Sequence, residues 1–260
     1  VAALTNNNLG NYWTSAGPYD EIFYYIKYNT AAVRDDLALM ISGIPIQANV
    51  REYAAISTNL TTRDEIFSAM TVYGFLSYEN GYVRIPNKEL MDKFDDMLQK
   101  EPSLGYIHQL AQKSRQMLKA TLENDIPTML EILEFAHNTE IPLLAYNNET
   151  ELTALVNLVY LAARDSYRVV REDKAGIGYV DFIFYPEVNR NADGIILELK
   201  VDHTPREAIQ QIKDRKYLLK FEGKFGEEYR YSGRILGVGI AYDKRTKTHQ
   251  CKIEILRESV

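Results

Sequence analysis

The 260-residue sequence holds a single cysteine, Cys251, and only four histidines. One cysteine cannot close an intramolecular disulfide or supply a zinc-finger framework. The histidines, at 108, 137, 203 and 249, show no H-E-x-x-H or paired spacing, so zinc is not expected. His203 follows Lys200 closely and reads as a loop histidine. No run approaches the roughly 18 consecutive apolar residues of a membrane-spanning helix. Residues 1–10 have neither the basic nor the apolar region of a signal peptide, which points to a cytoplasmic protein. A G-x-x-x-x-G-K-[ST] phosphate cradle is absent, as are a G-x-S-x-G elbow and a Cys–His pairing. Nucleotide-triphosphate binding and acyl transfer are therefore unsupported.

Charge of one sign is in mild excess, with 30 Lys and Arg against 36 Asp and Glu. With 46% hydrophobic and 25% charged residues the chain has an ordinary globular balance and ample material for a core. Phosphate binding needs clustered cations, so a net charge of −6 argues at first against a nucleic-acid protein. The distribution weakens that argument. Residues 1–100 carry 8 basic and 12 acidic side chains, whereas residues 201–260 carry 13 basic and 9 acidic.

Three regions are expected: a mainly helical, winged-helix-like part over 1–100, a helical linker over 101–145, and an α/β domain over 146–260. In the first, Tyr19–Tyr28 is rich in aromatics, and Ala31–Ser42 reads as a helix closed by Gly43 and Pro45. Thr62 with Glu65 forms a capping-box pattern, and Asn87 caps a further helix. Between them Asn80-Gly81 separates two short apolar runs, a strong hairpin signal because both residues accept positive φ. The linker is helical over 103–138, split near Pro127. In the last region Asn148 caps a helix from Glu149 to about Arg164, with Glu151 placed for a capping box. Strands follow at Tyr167–Arg171, Gly178–Tyr185 and Gly194–Val201. Pro205 then opens a helix to about Phe221, and strands at Arg234–Tyr242 and Cys251–Leu256 close the chain. The order α-β-β-β-α-β-β makes a mixed central sheet flanked by helices.

Two of these strands are apolar except at three positions. Asp181 interrupts Gly178–Tyr185, and Glu198 and Lys200 interrupt Gly194–Val201. Side chains alternate along a strand, so Glu198 and Lys200 share one face about 6.5–7 Å apart. Two carboxylates in adjacent buried strands repel and raise each other's pKa unless a cation lies between them. Mg²⁺ suits such a site, taking few protein oxygens and keeping several waters. The residues alone leave a second reading open, in which Glu198 and Lys200 are a structural ion pair and Asp181 caps a turn.

Asp181 followed by Glu198-Leu-Lys200 resembles the D…(D/E)-x-K signature of PD-(D/E)XK nucleases. The surroundings carry the resemblance further: Arg171-Glu-Asp-Lys-Ala-Gly-Ile-Gly178-Tyr-Val-Asp181, the Q…Y helix Ala208-Ile-Gln-Gln211-Ile-Lys-Asp-Arg-Lys-Tyr217, Val238–Lys244 with Thr248–Glu254, and Tyr146-Asn-Asn-Glu149. Together they are similar to bacterial AAA-ATPase-like proteins that end in a PD-(D/E)XK domain. Asn11–Ser15, Tyr73–Tyr78 and Ile85–Glu89 look like the part that links ATPase to nuclease. The resemblance implies a restriction-endonuclease-like fold, with Glu149, Asp181 and Glu198 as Mg²⁺ or Mn²⁺ ligands. It implies Lys200 acting on the attacking water, and Gln211 and Tyr217 lining the site as further catalytic residues. An ATPase part is expected upstream, consistent with a start at Val1 rather than Met. Tyr179 stands where some relatives carry Arg, so direct phosphate contact from that position is not expected.

The expected activity is metal-dependent hydrolysis of phosphodiester bonds, with DNA as partner. Arg206, Lys213, Arg215, Lys216 and Lys220 would contact phosphates. The alternative is a catalytically inactive nuclease-fold module that binds DNA or a protein partner. Residues 1–100 carry net charge −4 and fit docking to the ATPase part better than direct DNA binding.

Overall fold

The structure is a computed structural model that describes residues 24, 26–27, 30–50, 60–138, 149–175, 178–189, 191–222 and 231–259. The Asn11–Ser15 motif, most of the aromatic run at 19–28, and Tyr146 with the Asn148 cap lie outside them. The chain divides into two compact units, Val1–Gln109 and Leu110–Val260.

In the first unit α1 (Thr30–Ile41) is followed by β1 (Ile46–Gln47), α2 (Arg63–Val72), β2 (Ser77–Glu79), β3 (Tyr82–Arg84) and α3 (Lys88–Lys100). The three short strands form an antiparallel sheet in the order β1-β3-β2. Asn80 and Gly81 join β2 to β3 with φ of 52° and 88°, the backbone that a two-residue hairpin requires. Thr62 accepts from the Glu65 amide while Glu65 accepts from the Thr62 amide, so the expected capping box starts α2. Asn87 caps α3 through the Leu90 amide at 2.9 Å. The buried faces of α2 and α3 pack Ile66, Phe67, Met70, Leu90, Phe94 and Leu98 into this unit's core.

The second unit is built on a five-stranded sheet. Helices α4 (Tyr106–Glu123), whose first residues belong to the first unit, and α5 (Ile126–Asn138) are parted at Asn124, whose φ is 58°. Then come α6 (Glu149–Val159), a 3₁₀ turn at Leu161–Asp165, β4 (Tyr167–Ala175), β5 (Gly178–Pro186) and β6 (Gly194–Val201). α7 (Pro205–Asp214), the short α8 (Leu219–Glu222), β7 (Ile235–Asp243) and β8 (Thr248–Arg257) complete it. The sheet order is β4-β5-β6-β7-β8, antiparallel except for the parallel pair β6–β7. The crossover between those parallel strands is α7, as a parallel pair requires. The architecture is the expected mixed sheet flanked by helices, consistent with a restriction-endonuclease-like fold.

β6 lies at the centre and is covered on both faces. Ile196 packs with Ile183 and Tyr185 of β5 and with Ile209 and Ile212 of α7. Ile195, Leu197 and Leu199 alternate with it, are equally buried, and meet α6 across the other face. Each such side chain contributes about 1.5–3 kcal/mol through burial. A strand enclosed in this way has no cheap position for a charge.

Two expected helices end early. The one expected to reach Arg164 stops at Val159 and tightens into the 3₁₀ turn. The one expected to reach Phe221 stops at Asp214, because Lys216 adopts a left-handed φ of 55°. There Tyr217 donates its amide to the Ile212 carbonyl and Lys216 to the Lys213 carbonyl, a Schellman ending without glycine. The turn carries Tyr217 into the core beside Ile212 and Phe221.

Candidate active site

The ladder between β5 and β6 runs through Phe184–Ile195, Ile183–Ile196 and Phe182–Leu197 and then stops. The next opposed pair in this register is Asp181 and Glu198. Where the ladder ends, the Asp181 carboxylate accepts the backbone N–H of Leu199 at 2.8 Å. A side chain thus takes over the hydrogen bond that the strand no longer makes, and the first carboxylate is tied to the strand that carries the second.

Glu198 is a buried acid, its side chain only 3% exposed. Its Oε1 accepts from the Gln211 amide of α7 and lies 3.3 Å from the Lys200 ammonium. Its Oε2 is buried with no hydrogen-bond partner among the described residues. Burial, reinforced by the Asp181 charge, pushes the Glu198 carboxyl up to about 8, against the opposing pull of Lys200. A buried polar atom without a partner costs about 1–3 kcal/mol, more for a charged group. A second negative charge at this acid pair is therefore disfavoured, because the described side chains do not fully satisfy it.

α7 is placed by its start and by the strand beneath it. Thr204 accepts from the Glu207 amide and Glu207 returns the bond at 2.7 Å, with Pro205 in the first turn. Gly239 of β7 is the parallel neighbour of Glu198. A Cβ there would run into the Pro205 carbonyl and come within 3.1 Å of the Ala208 Cβ. The bare glycine lets α7 settle on the sheet, which brings Gln211 to Glu198.

Tyr217 reaches the same strands from the core. Its ring is buried, and its hydroxyl donates to the Tyr179 carbonyl at 2.6 Å, two residues before Asp181. Burial raises this phenol above the ordinary tyrosine value, and the nearby Glu198 and Asp181 charges add to the shift. Asp181, Glu198, Lys200 and Gln211 are thus brought together, with Tyr217 behind them. Glu149 is exposed in the first turn of α6, where its carbonyl accepts the Thr153 hydroxyl at 2.8 Å. Among the described residues no three His, Cys, Asp or Glu side chains gather into a group that could hold a metal ion, so Glu149 is not added to the Asp181–Glu198 pair.

Of the basic residues near α7, Arg206, Arg215 and Lys216 are exposed. Lys213 is engaged by Glu254 at 2.5 Å, and Lys220 is half-buried. His203 is exposed near Glu207. His249 of β8 is fully buried instead, its Nδ1 3.0 Å from Glu134 of α5 and its ring against Tyr242 and His137. Two contributors escaped the sequence reading. Thr204-Pro-Arg-Glu207 carries a legible capping-box pattern, whereas the Leu199 amide has no side-chain signature.

Residues 148–250 match the family model of the PD-(D/E)XK nuclease superfamily, a span that includes every side chain of this site. No curated protein and no solved structure matches the chain. Among the described residues no helix is long and apolar enough to cross a membrane. The buried acid pair with its neighbouring lysine and the family match fall on the same strands: residues 148–250 of this chain form a PD-(D/E)XK nuclease superfamily domain.

Proposed function

We propose that this chain hydrolyses phosphodiester bonds in DNA with Mg²⁺ or Mn²⁺ at Asp181 and Glu198. The observation that carries the reading is the buried Oε2 of Glu198, without a hydrogen-bond partner among the described residues and set against a second carboxylate. Hard oxygen donors with excess negative charge are the donor set that Mg²⁺ takes, so the residues fit the ion. When bound, such a cation supplies charge stabilisation to the phosphate and favours ionisation of water. Asp181 would be kept in place by the Leu199 amide, and Gln211 would hold the Glu198 carboxylate in one rotamer. Lys200 would orient the attacking water and offset charge growing on the phosphate oxygens. Tyr217 would fix the approach of β5. Arg206, Arg215 and Lys216 would meet the nucleic-acid backbone. The motifs at Asn11–Ser15, Tyr73–Tyr78 and Ile85–Glu89 support placing the domain after the ATPase-like part of a bacterial protein.

The test is cleavage of plasmid, linear and single-stranded DNA with Mg²⁺ or Mn²⁺, by the wild type and by Glu198→Ala and Lys200→Ala. Cleavage by the wild type and none by either variant is expected. Salt-sensitive binding without cleavage in either metal would replace the nuclease with a binding module.

A further inference from the structure

We infer that Tyr179 is a stacking platform for an unpaired base beside the scissile phosphate, which makes single-stranded or locally opened nucleic acid the favoured substrate. The inference rests on the phosphodiesterase reading of Asp181, Glu198 and Lys200. Tyr179 is 66% exposed, and it is the only mostly exposed aromatic among the described residues of the second unit. Yet its backbone is held on both sides. It pairs with Lys174 of β4, and its carbonyl accepts the hydroxyl of the buried Tyr217 at 2.6 Å. An apolar ring left in water on a fixed backbone loses little conformational freedom when a base covers it.

Position adds to this. Two strand steps separate Tyr179 from Asp181, about 6.5–7 Å along β5. Beyond Phe182 the β5–β6 ladder has stopped, so this end of β5 borders the site. The tether that holds Tyr179 also brings in charge, since the exposed Arg215 and Lys216 immediately precede Tyr217 in the turn after α7. Cations that meet the backbone beside an aromatic ring that meets a base are the two components of single-strand recognition. In an intact duplex each base is stacked on its neighbours, and its face reaches the ring only after costly unstacking.

The test reads binding separately from cleavage. A labelled 12-nucleotide single strand and the matching duplex are titrated by anisotropy in EDTA, against the wild type, Tyr179→Ala and Tyr179→Phe. A parallel set of strands carries 2-aminopurine at successive positions. Tyr179→Ala should weaken single-strand binding about 5- to 150-fold, leave duplex binding unchanged, and abolish the quenching of one 2-aminopurine. Tyr179→Phe should retain both affinity and quenching. The inference is overturned if Tyr179→Ala binds single strand like the wild type, if it loses single strand and duplex equally, or if the wild type does not bind single strand. Absence of cleavage with Mn²⁺, alongside intact Tyr179-dependent binding, would instead remove the phosphodiesterase reading alone.

Discussion

The Asp181 carboxylate accepts the Leu199 amide at 2.8 Å, so one acid of the pair is fastened to the main chain beside the other. Asn at position 181 can accept the same bond while carrying no charge. Asp181→Asn is expected to fold normally and to lose divalent-metal affinity and DNA cleavage together. Isothermal titration with Mn²⁺ and a cleavage assay on the same preparation check both.

Glu198 is buried next to that acid, with Lys200 as a partial counterweight. Glu198→Gln removes the charge and keeps the shape. In EDTA at pH 8 the variant should be more stable than the wild type, by up to about 2 kcal/mol, because it no longer holds an incompletely paired carboxylate in the core. Added Mg²⁺ should raise the Tm of the wild type and leave that of the variant unchanged. A lower Tm for the variant in EDTA would contradict this account of the site.

Lys200 lies 3.3 Å from Glu198 with its side chain 14% exposed. Lys200→Met retains the stem and deletes the charge. Cleavage should fall by about 10²–10³-fold, the usual size of losing one transition-state charge donor. Metal affinity should persist, which separates this lysine from the two acids.

Acid should loosen the opposite side of the sheet. His249 and His137 are both held below the ordinary histidine value by burial, against the pull of Glu134. The unfolded chain therefore binds more protons than the folded chain once pH falls below about 6.5. Stability is full above that pH and declines through the window down to the depressed values. Glu134, held below its ordinary carboxylate value by its bonds to His249, adds loss only in more acid solution. His249→Asn should show a smaller fall in Tm than the wild type between pH 7 and pH 5. An unchanged slope would remove His249 from this role.

Lys216 closes α7 in a left-handed conformation that glycine adopts without steric cost. Lys216→Gly should stabilise the unit by up to about 1 kcal/mol, seen as a rise in Tm, with metal affinity unchanged.

Lys216 also marks where the sequence is hard to read. Asn80-Gly81 announces its hairpin, and Pro205 announces the start of α7, because each residue type matches the backbone it occupies. Lys216 ends α7 and Lys247, at φ 56°, completes the turn into β8 with no such residue, so both boundaries escaped. β8 begins at Thr248 rather than Cys251 for that reason. The acids were legible through contrast, as charges inside strands otherwise apolar. Their connections were less so. Gln211 meets Glu198 across a helix–sheet contact, and the Leu199 amide looks in sequence like any other, so these links become visible only in three dimensions.

Gly239 contributes no functional group, yet it sets the height at which α7 rests beside Glu198. Grafting Asp181, Glu198, Lys200 and Gln211 onto another sheet would therefore reproduce the chemical groups without their reach. A recipient strand with alanine in that register would lift the helix and draw the Gln211 amide away from its acid. The portable unit is five residues, and the fifth is defined by the atom it lacks.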